Sequence, residues 1–315
     1  KKIPTVKEWQ VSELEHDLSN CVGVGIVCGK LSGYIEAIDI DSKYDLTGKL
    51  FENYKRLIHE LDKDLLQRLV VQKTRNNGYH FIYRCSVIAG NLKLANRPTT
   101  DEEKRDTYNQ EYKNALLKNP DDTKAKQMAE KISKSDKVRV LIETRGEGGY
   151  IACFPTDGYK LIHGDFYGIK EISVEQRDLL HGIARQFNQV FDEVVVPKKD
   201  NVQKTNGLST FDDYNKRGDV VGLLQEHGWK VVTQKGNKTV FLRPGQTSSQ
   251  SSGNFDHDKN WFSVFTTSTE FEPQHAYLPY AVFAFLECNK NFSDASKKLY
   301  ELGYGDRIEQ KAEKE

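Results

Sequence analysis

The chain has few cysteines, and no two of them stand at a metal-binding spacing. Five cysteines are scattered over 315 residues without a Cys-x-x-Cys pair. We therefore expect no zinc site, and the odd number favours reduced thiols in a cytoplasmic protein over a disulfide framework. No apolar run approaches the roughly 20 residues that span a bilayer, and no signal-peptide pattern opens the chain. The sequence predicts a soluble cytoplasmic protein without a membrane partner.

Net charge is also lacking, because 46 Lys and Arg residues balance 46 Asp and Glu residues. Any attraction to nucleic acid must therefore come from local basic patches. The glycine motifs of nucleotide-binding enzymes are incomplete. The segment Gly23–Cys28 lacks the last glycine of a dinucleotide fingerprint, and Gly25–Leu31 has the wrong spacing for a Walker A loop. No ATPase motif is present.

A pair of carboxylates is the most informative feature that is present. Asp39 and Asp41 lie in an apolar run that begins at Tyr34. Residues i and i+2 of a strand point to the same side. An apolar strand seldom carries two like charges together unless a cation or proton compensates them. The pair therefore predicts a site for a divalent metal.

The length favours two domains, since 315 residues exceed the usual size of one. We predict an α+β fold, with a first domain over 1–196, a linker over 197–207 and a small, helix-rich α+β domain over 208–315. The first domain should contain six strands, at Gly23–Cys28, Tyr34–Ile40, Leu69–Thr74, Tyr79–Cys85, Val138–Thr144 and Tyr150–Phe154. It should also contain two helices, at Leu46–Leu61 and Val174–Phe191.

A charged insertion covers about residues 99–137, and its segment 101–137 holds nine acidic and nine basic residues. Thr100 to Glu103 is a capping box, which predicts a helix start. Asn119 is predicted to cap a second helix with Pro120 at its first position. The pattern favours a solvated helical hairpin over a nucleic-acid clamp.

A second candidate site segment contains Asn77-Gly78, the strongest short signal for a β-hairpin. A two-residue turn there would place Arg75 opposite His80, with Lys73 on the same face. Such a face could hold a polyphosphate, because Arg grips phosphate oxygens with two donors and Lys and His add charge. The alternative is a half-buried strand histidine beside a solvated basic face.

A third candidate segment is a strand that ends in a glycine-rich turn, with Glu143 and Arg145 on one face. Glu143 could complete a three-carboxylate metal site with Asp39 and Asp41, and Arg145 could balance it or contact phosphate. In isolation this segment favours a salt-bridged strand pair. Together, the three segments favour a site.

Nucleic-acid contacts are expected at exposed lysines and an arginine. Lys30 lies in a tight loop before the acidic strand and is available to a phosphate or a template. In the C-terminal region Lys235, Lys238 and Arg243 surround a Gly236-Asn237 turn and could contact template phosphates. A basic hairpin in solvent is the alternative.

The order of these motifs resembles the primase-polymerases of phages and plasmids in the archaeo-eukaryotic primase superfamily. The resemblance covers roughly the first 160 residues and rests on Asn20–Val24, Ser32-Gly33, Ile38–Asp41, Gly78–His80, Ile142–Tyr150, Phe154-Pro155 and Gly158-Tyr159. It implies a catalytic core with RRM-like elements. It also implies that Asp39, Asp41 and Glu143 bind two Mg²⁺ or Mn²⁺ ions and that His80 contacts the triphosphate of the incoming nucleotide. The sequence departs from the commoner pattern in its Glu as third acid, its insertion and its lack of zinc ligands.

The resemblance further implies a template-directed nucleotidyl transferase that acts as a DNA primase, a DNA polymerase or both. Its partners would be single-stranded DNA and nucleoside triphosphates, with Lys73, Arg75 and Arg145 beside the phosphates. The chain starts without Met, so we expect a fragment of a longer protein, and a helicase domain or subunit is a further candidate partner. Two alternatives are a non-catalytic nucleic-acid-binding replication module and a metal-dependent phosphohydrolase. The chain does not have the Thr or Val that a phosphohydrolase of this kind needs soon after its Asp pair.

Overall fold

The computed structural model describes Trp9 and residues 21–193, 208–246, 251–273 and 275–306. The chain divides into two compact units, Lys1–Val190 and Phe191–Glu315. The first unit therefore ends before residue 196, and the predicted linker 197–207 lies outside the described residues. In the described part of the chain, no helix is both long and apolar enough to cross a membrane.

The first unit contains a six-stranded sheet, a two-stranded sheet and five α-helices in its described part. Its strands are β1 Val24–Val27, β2 Ile35–Ile40, β3 Val70–Lys73, β4 Tyr79–Arg84, β5 Lys93–Pro98, β6 Val138–Arg145, β7 Tyr150–Cys153 and β8 Lys160–His163. Its helices are α1 Leu50–Leu61, α2 Leu65–Arg68, α3 Asp101–Lys118, α4 Asp122–Ser135 and α5 Val174–Arg185.

The larger sheet has the order β5-β6-β2-β4-β3-β8, and its strands pair antiparallel. The smaller sheet pairs β1 with β7. Helices and antiparallel sheets together confirm the predicted α+β fold. The six predicted strands are present, whereas β5 and β8, at the two edges of the large sheet, were not predicted.

The two faces of the large sheet have different roles because successive residues of β2 point to opposite sides. Ile38 and Ile40 face α1 and α5, where Tyr54 and Ile183 are fully buried with them. We call this side the helix face. Burial of each such side chain contributes roughly 1.5–3 kcal/mol to folding. Ala37 lies on the other side, packed with residues of the small sheet, and we call this side the site face.

A buried ionic group on the helix face ties β2 to α5. Arg177 donates to both oxygens of the fully buried Glu36, with Nε 2.6 Å and Nη2 2.8 Å away, and the Tyr83 hydroxyl donates from 2.7 Å. His181 Nε2 lies 3.4 Å from the same carboxylate. Burial alone would raise the pKa of Glu36, but the hydrogen bonds from His181 and Arg177 outweigh it and lower the pKa to about 2.

The insertion forms a helical hairpin of α3 and α4 between β5 and β6. The predicted capping box is present, since Thr100 and Glu103 each accept the other's backbone N–H. The predicted start of the second helix is wrong. Asn119 is the C-terminal cap of α3, where its backbone N–H donates to Ala115 O, and it is not the residue that caps α4. Asp121 caps α4 instead by accepting from Lys124 N, and Pro120 lies in the connection.

The second unit packs helices on one face of a mixed sheet with the order β10-β11-β12-β13-β14-β9. Trp229, Phe241 and Phe262 are fully buried at the centre of its core. Asp219 caps the helix that follows it, by accepting from Gly222 N at 2.8 Å. The elements are β9 Asp192–Glu193, α6 Thr210–Arg217, α7 Val220–Glu226, β10 Lys230–Lys235, β11 Lys238–Leu242, β12 Gly253–Asp256, β13 Trp261–Val264, β14 His275–Tyr277, α8 Pro279–Glu287 and α9 Phe292–Glu301.

Candidate active site

Three of the predicted site residues form a row across three neighbouring strands of the large sheet. Asp39 on β2 stands directly opposite His80 on β4 and directly opposite Glu143 on β6. Directly opposed residues of antiparallel strands share a face and have Cβ atoms about 4.5–5.5 Å apart. The pairing therefore brings together residues from distant parts of the chain, on the site face.

Asp39 is mostly buried and contacts two groups. Its Oδ1 lies 3.5 Å from His80 Nε2, and its Oδ2 lies 3.4 Å from Arg145 Nη2. Burial would raise the pKa of Asp39, but the hydrogen bond from His80 and the charge of Arg145 hold this pKa below its usual value. Asp39 is therefore ionised at neutral pH.

Glu143 shares the guanidinium of Arg145 with Asp39, because Arg145 Nη2 also donates to Glu143 Oε1. The pKa of Glu143 is nevertheless raised, first by burial and then by the negative charges of Asp39 and Asp41, which Arg145 offsets only in part. Glu143 and Arg145 share a face, as the sequence predicted.

Asp41 lies one residue beyond the end of β2. Its backbone N–H donates to Leu141 O at 2.9 Å, and its carboxylate lies 3.9 Å from Lys43 Nζ. Its charge acts on Glu143, as the raised pKa of that residue records. The three predicted carboxylates therefore influence one another electrostatically at one end of β2.

A cavity of about 230 Å³ opens beside this row. It is lined by Asp39, His80 and Arg145 and also by Trp9 and Tyr150, whose rings meet edge to face with centroids 5.0 Å apart. Further lining comes from Asn91, Gly148, Gly149, Ile151 and Ala152. Asp41 and Glu143 do not line it. The cavity combines one carboxylate, one cation, a histidine and two aromatic rings.

The donor chemistry of the three acids suits a hard divalent cation such as Mg²⁺ or Mn²⁺, which prefers carboxylate oxygens. Arg145 and Lys43 set two positive charges beside these three acids, so the cluster can accept further positive charge. Within the described residues, no group of three or more His, Cys, Asp or Glu side chains is close enough together to hold an ion. Arg145 joins Asp39 to Glu143 in this arrangement, so an ion that bridges these two carboxylates requires the guanidinium to move.

The predicted phosphate face of Lys73, Arg75 and His80 is not formed. Five residues, Thr74 to Gly78, separate β3 from β4. Thr74 N donates to Gly78 O, so the turn between them has three residues rather than two, and Asn77 in it takes the left-handed φ of 61°. The residue opposite His80 is consequently Gln72, and Lys73 lies opposite Tyr79 on the helix face. Gly78 serves a close approach instead, since a Cβ there would lie 2.5 Å from Ile40 O.

Arg75 lies in the three-residue turn and does not line the cavity. Its Nε and Nη2 donate to Asp157 O at 3.0 and 2.7 Å. The predicted neighbours of His80 are wrong, because the length of the turn decides the register of the whole hairpin.

The predicted nucleic-acid contacts are all placed at described positions. Lys30 is exposed, and its backbone N–H donates to Glu147 Oε2, which brings its loop beside the glycine-rich turn after β6. Lys235 and Lys238 stand opposite each other at the β10–β11 turn, and Lys238 Nζ lies 3.6 Å from the buried Asp256. Arg243 follows β11. Contact of these residues with nucleic acid remains a prediction.

Four residues beside the site were not predicted. Gln72, Asn91 and Tyr150 lie on or next to strands, and Trp9 is the single described residue before position 21. Gln72 carried a usable signal, because it directly follows the apolar run Leu69–Val71. A polar side chain that is buried at such a position must have hydrogen-bond partners. Trp9, Asn91 and Tyr150 carried none, because only tertiary packing brings them to the cavity.

The first unit is an α+β domain whose candidate site residues lie across an antiparallel sheet. Residues 2–171 match the family described as bifunctional DNA primase/polymerase, N-terminal, and the chain belongs to this family. This match confirms the predicted resemblance and supports DNA primase or polymerase activity in general. Neither a curated protein nor a solved structure matches the chain. The second unit lies outside the matched residues.

Proposed function

We propose that the first unit is a template-directed nucleotidyl transferase that acts on single-stranded DNA, as a primase, a polymerase or both, by a two-metal mechanism. The observation that carries this proposal is the row of His80, Asp39 and Glu143 across adjacent strands beside the cavity. Asp41 adds its charge at the end of the same strand. No observation favours the phosphohydrolase alternative.

In this proposal Asp39, Asp41 and Glu143 hold two Mg²⁺ or Mn²⁺ ions. Bound there, the ions would lower the pKa of a primer 3′-hydroxyl and neutralise the triphosphate and the leaving pyrophosphate. Asp39 suits this role because it is ionised within a mostly buried site, where its charge is weakly screened.

His80 and Arg145 would bind the nucleotide. His80 lines the cavity with its Nε2 on the side of Asp39, so the same nitrogen can donate to a phosphate oxygen nearby. Arg145 lines the cavity too, and its guanidinium can pair with phosphate through two donors. The corrected register leaves Lys73 and Arg75 without this role.

The test is synthesis on single-stranded DNA with Mg²⁺ or Mn²⁺, with and without a primer. We expect product from the wild type and none from the variant Asp39→Ala plus Asp41→Ala. The matched control is Glu102→Ala plus Asp106→Ala, which removes two exposed carboxylates from α3 and should leave synthesis unchanged.

Dependence of the product on a primer separates polymerase from primase activity. A folded wild type that binds single-stranded DNA and forms no product with either metal would contradict the proposal. That result would favour the non-catalytic replication module.

A further inference from the structure

The Gln72 side chain is fully buried between the two sheets of the first unit. Its carboxamide has three partners. Phe154 N donates to Oε1 at 3.0 Å, Nε2 donates to Ala152 O at 3.0 Å, and Nε2 also lies 2.7 Å from His80 Nδ1. A buried amide with all these groups engaged has a determined orientation.

The Phe154 contact decides that orientation. A backbone N–H can only donate, so the atom that faces it must be the carboxamide oxygen. The NH₂ group consequently faces Ala152 O and His80 Nδ1, and it can only donate to both. His80 Nδ1 must therefore accept, which leaves the ring proton of neutral His80 on Nε2.

The protonated nitrogen is the one on the side of the site. His80 Nε2 lies 3.5 Å from Asp39 Oδ1, and both residues line the cavity. The opposite tautomer would set the NH₂ of Gln72 against a ring N–H and would turn the bare Nε2 toward a carboxylate. Each of these contacts is repulsive.

We propose that Gln72 is a positioning residue that holds His80 as the Nε2–H tautomer, with its donor directed into the cavity. The inference rests on the proposed function in one respect, namely that the group receiving this N–H is a phosphate of the incoming nucleotide. The hydrogen bond to a charged phosphate then requires a donor on Nε2.

The same carboxamide also fixes a wall of the cavity. Its bonds to Ala152 and Phe154 attach β7 and the residue after it to β3, and Tyr150, Ile151 and Ala152 of β7 line the cavity. The Gln72 side chain therefore determines which ring nitrogen of His80 donates and also how far the β7 wall of the cavity lies from β3.

The first measurement is the ¹⁵N NMR spectrum of the His80 ring at neutral pH without metal, assigned by its loss in His80→Gln. We expect Nδ1 to be unprotonated and Nε2 protonated in the wild type. Gln72→Glu offers only acceptors and should move the proton to Nδ1. Gln72→Met fills a similar volume without hydrogen bonds and should leave a mixture of tautomers.

The second measurement is the nucleotide KM and kcat in primer extension. Loss of a residue that orients a metal-bound histidine commonly costs about 10- to 100-fold. For the nucleotide-binding His80 we expect the lower end of that range, with Gln72→Met raising KM about 10-fold and lowering kcat less. The control is Tyr83→Phe, which removes a buried hydrogen bond from the opposite face of β4, the strand that carries His80. It should leave the tautomer and KM unchanged.

A wild type protonated at Nδ1 would overturn the proposal. So would a Gln72→Met variant whose tautomer and KM both equal those of Tyr83→Phe. The NMR result decides the role of Gln72 even in a protein without synthesis, so failure of this inference and failure of the proposed function are distinguishable.

Discussion

Arg145 joins Asp39 to Glu143: its Nη2 lies 3.4 Å from Asp39 Oδ2 and also donates to Glu143 Oε1. The guanidinium compensates part of the negative charge of the two carboxylates. In the proposed metal site, Arg145 would therefore compete with an ion held by Asp39 and Glu143.

Arg145→Gln should bind Mn²⁺ more tightly than the wild type, because the competing charge is gone. We expect an increase of about tenfold, which corresponds to about 1.4 kcal/mol. Calorimetric titration without nucleotide measures it. Arg105→Gln, an exposed arginine on α3, is the control that removes an equal charge. Equal Mn²⁺ affinities of the two variants would contradict the competition.

Nucleotide affinity should depend on His80 and little on the two cations that the sequence placed beside it. His80→Ala loses a hydrogen bond to a charged group, worth about 1.5–3 kcal/mol, so we expect KM to rise roughly 10- to 100-fold. Lys73→Ala and Arg75→Ala should change KM by less than about threefold, since neither shares the site. Steady-state kinetics of the three variants tests whether, of these three residues, His80 alone binds the nucleotide.

Glu36→Gln should destabilise the first unit strongly, since it leaves Arg177 buried without its charged partner. Breaking a buried ion pair commonly costs about 3–5 kcal/mol. Urea unfolding, followed by a probe in this unit, measures the loss. Glu60→Gln removes the exposed ion pair with Arg56 and should cost less than about 1 kcal/mol. Similar losses in both variants would show that the buried pair is not stabilising.

The first unit should become less stable as the pH falls, over a pH range that the pKa of Glu36 determines. Its pKa is lowered in the folded state from an ordinary 4.5 to about 2, so the unfolded chain takes up the proton first. The contribution is complete above the ordinary pKa and is lost as pH falls from there toward 2, with a total on the order of 3 kcal/mol. The unfolding free energy of Glu36→Gln should therefore depend less steeply on pH across this range than that of the wild type.

The charged hairpin should be dispensable for synthesis. Pro98 and Val138 are paired at its base, and Thr99 N donates to Lys137 O at 2.9 Å. A short turn can therefore replace residues 104–135 and keep Glu103, which holds the buried Arg97. We expect the shortened protein to keep its extension rate and its affinity for single-stranded DNA within about threefold. A larger loss of DNA affinity would favour the alternative that the hairpin is a nucleic-acid clamp.

The sequence by itself determined the elements whose signals are local. An apolar run placed Asp39 on a strand, and the spacing of Thr100 and Glu103 predicted the capping box of α3, because these patterns depend on neighbours within a few residues. The edge strands β5 and β8 escaped this reasoning. Their short sequences alternate weakly, and their pairing partners define them as strands.

Only the tertiary structure decided which residues meet at the site. The length of one turn, settled by Asn77 and by the close approach of Gly78 to Ile40 O, replaced Arg75 with Gln72 opposite His80. The contact of Arg145 with Asp39 likewise depends on the pairing of β2 with β6. Strand register is a property of the pair, since a shift of one residue moves every side chain to the other face.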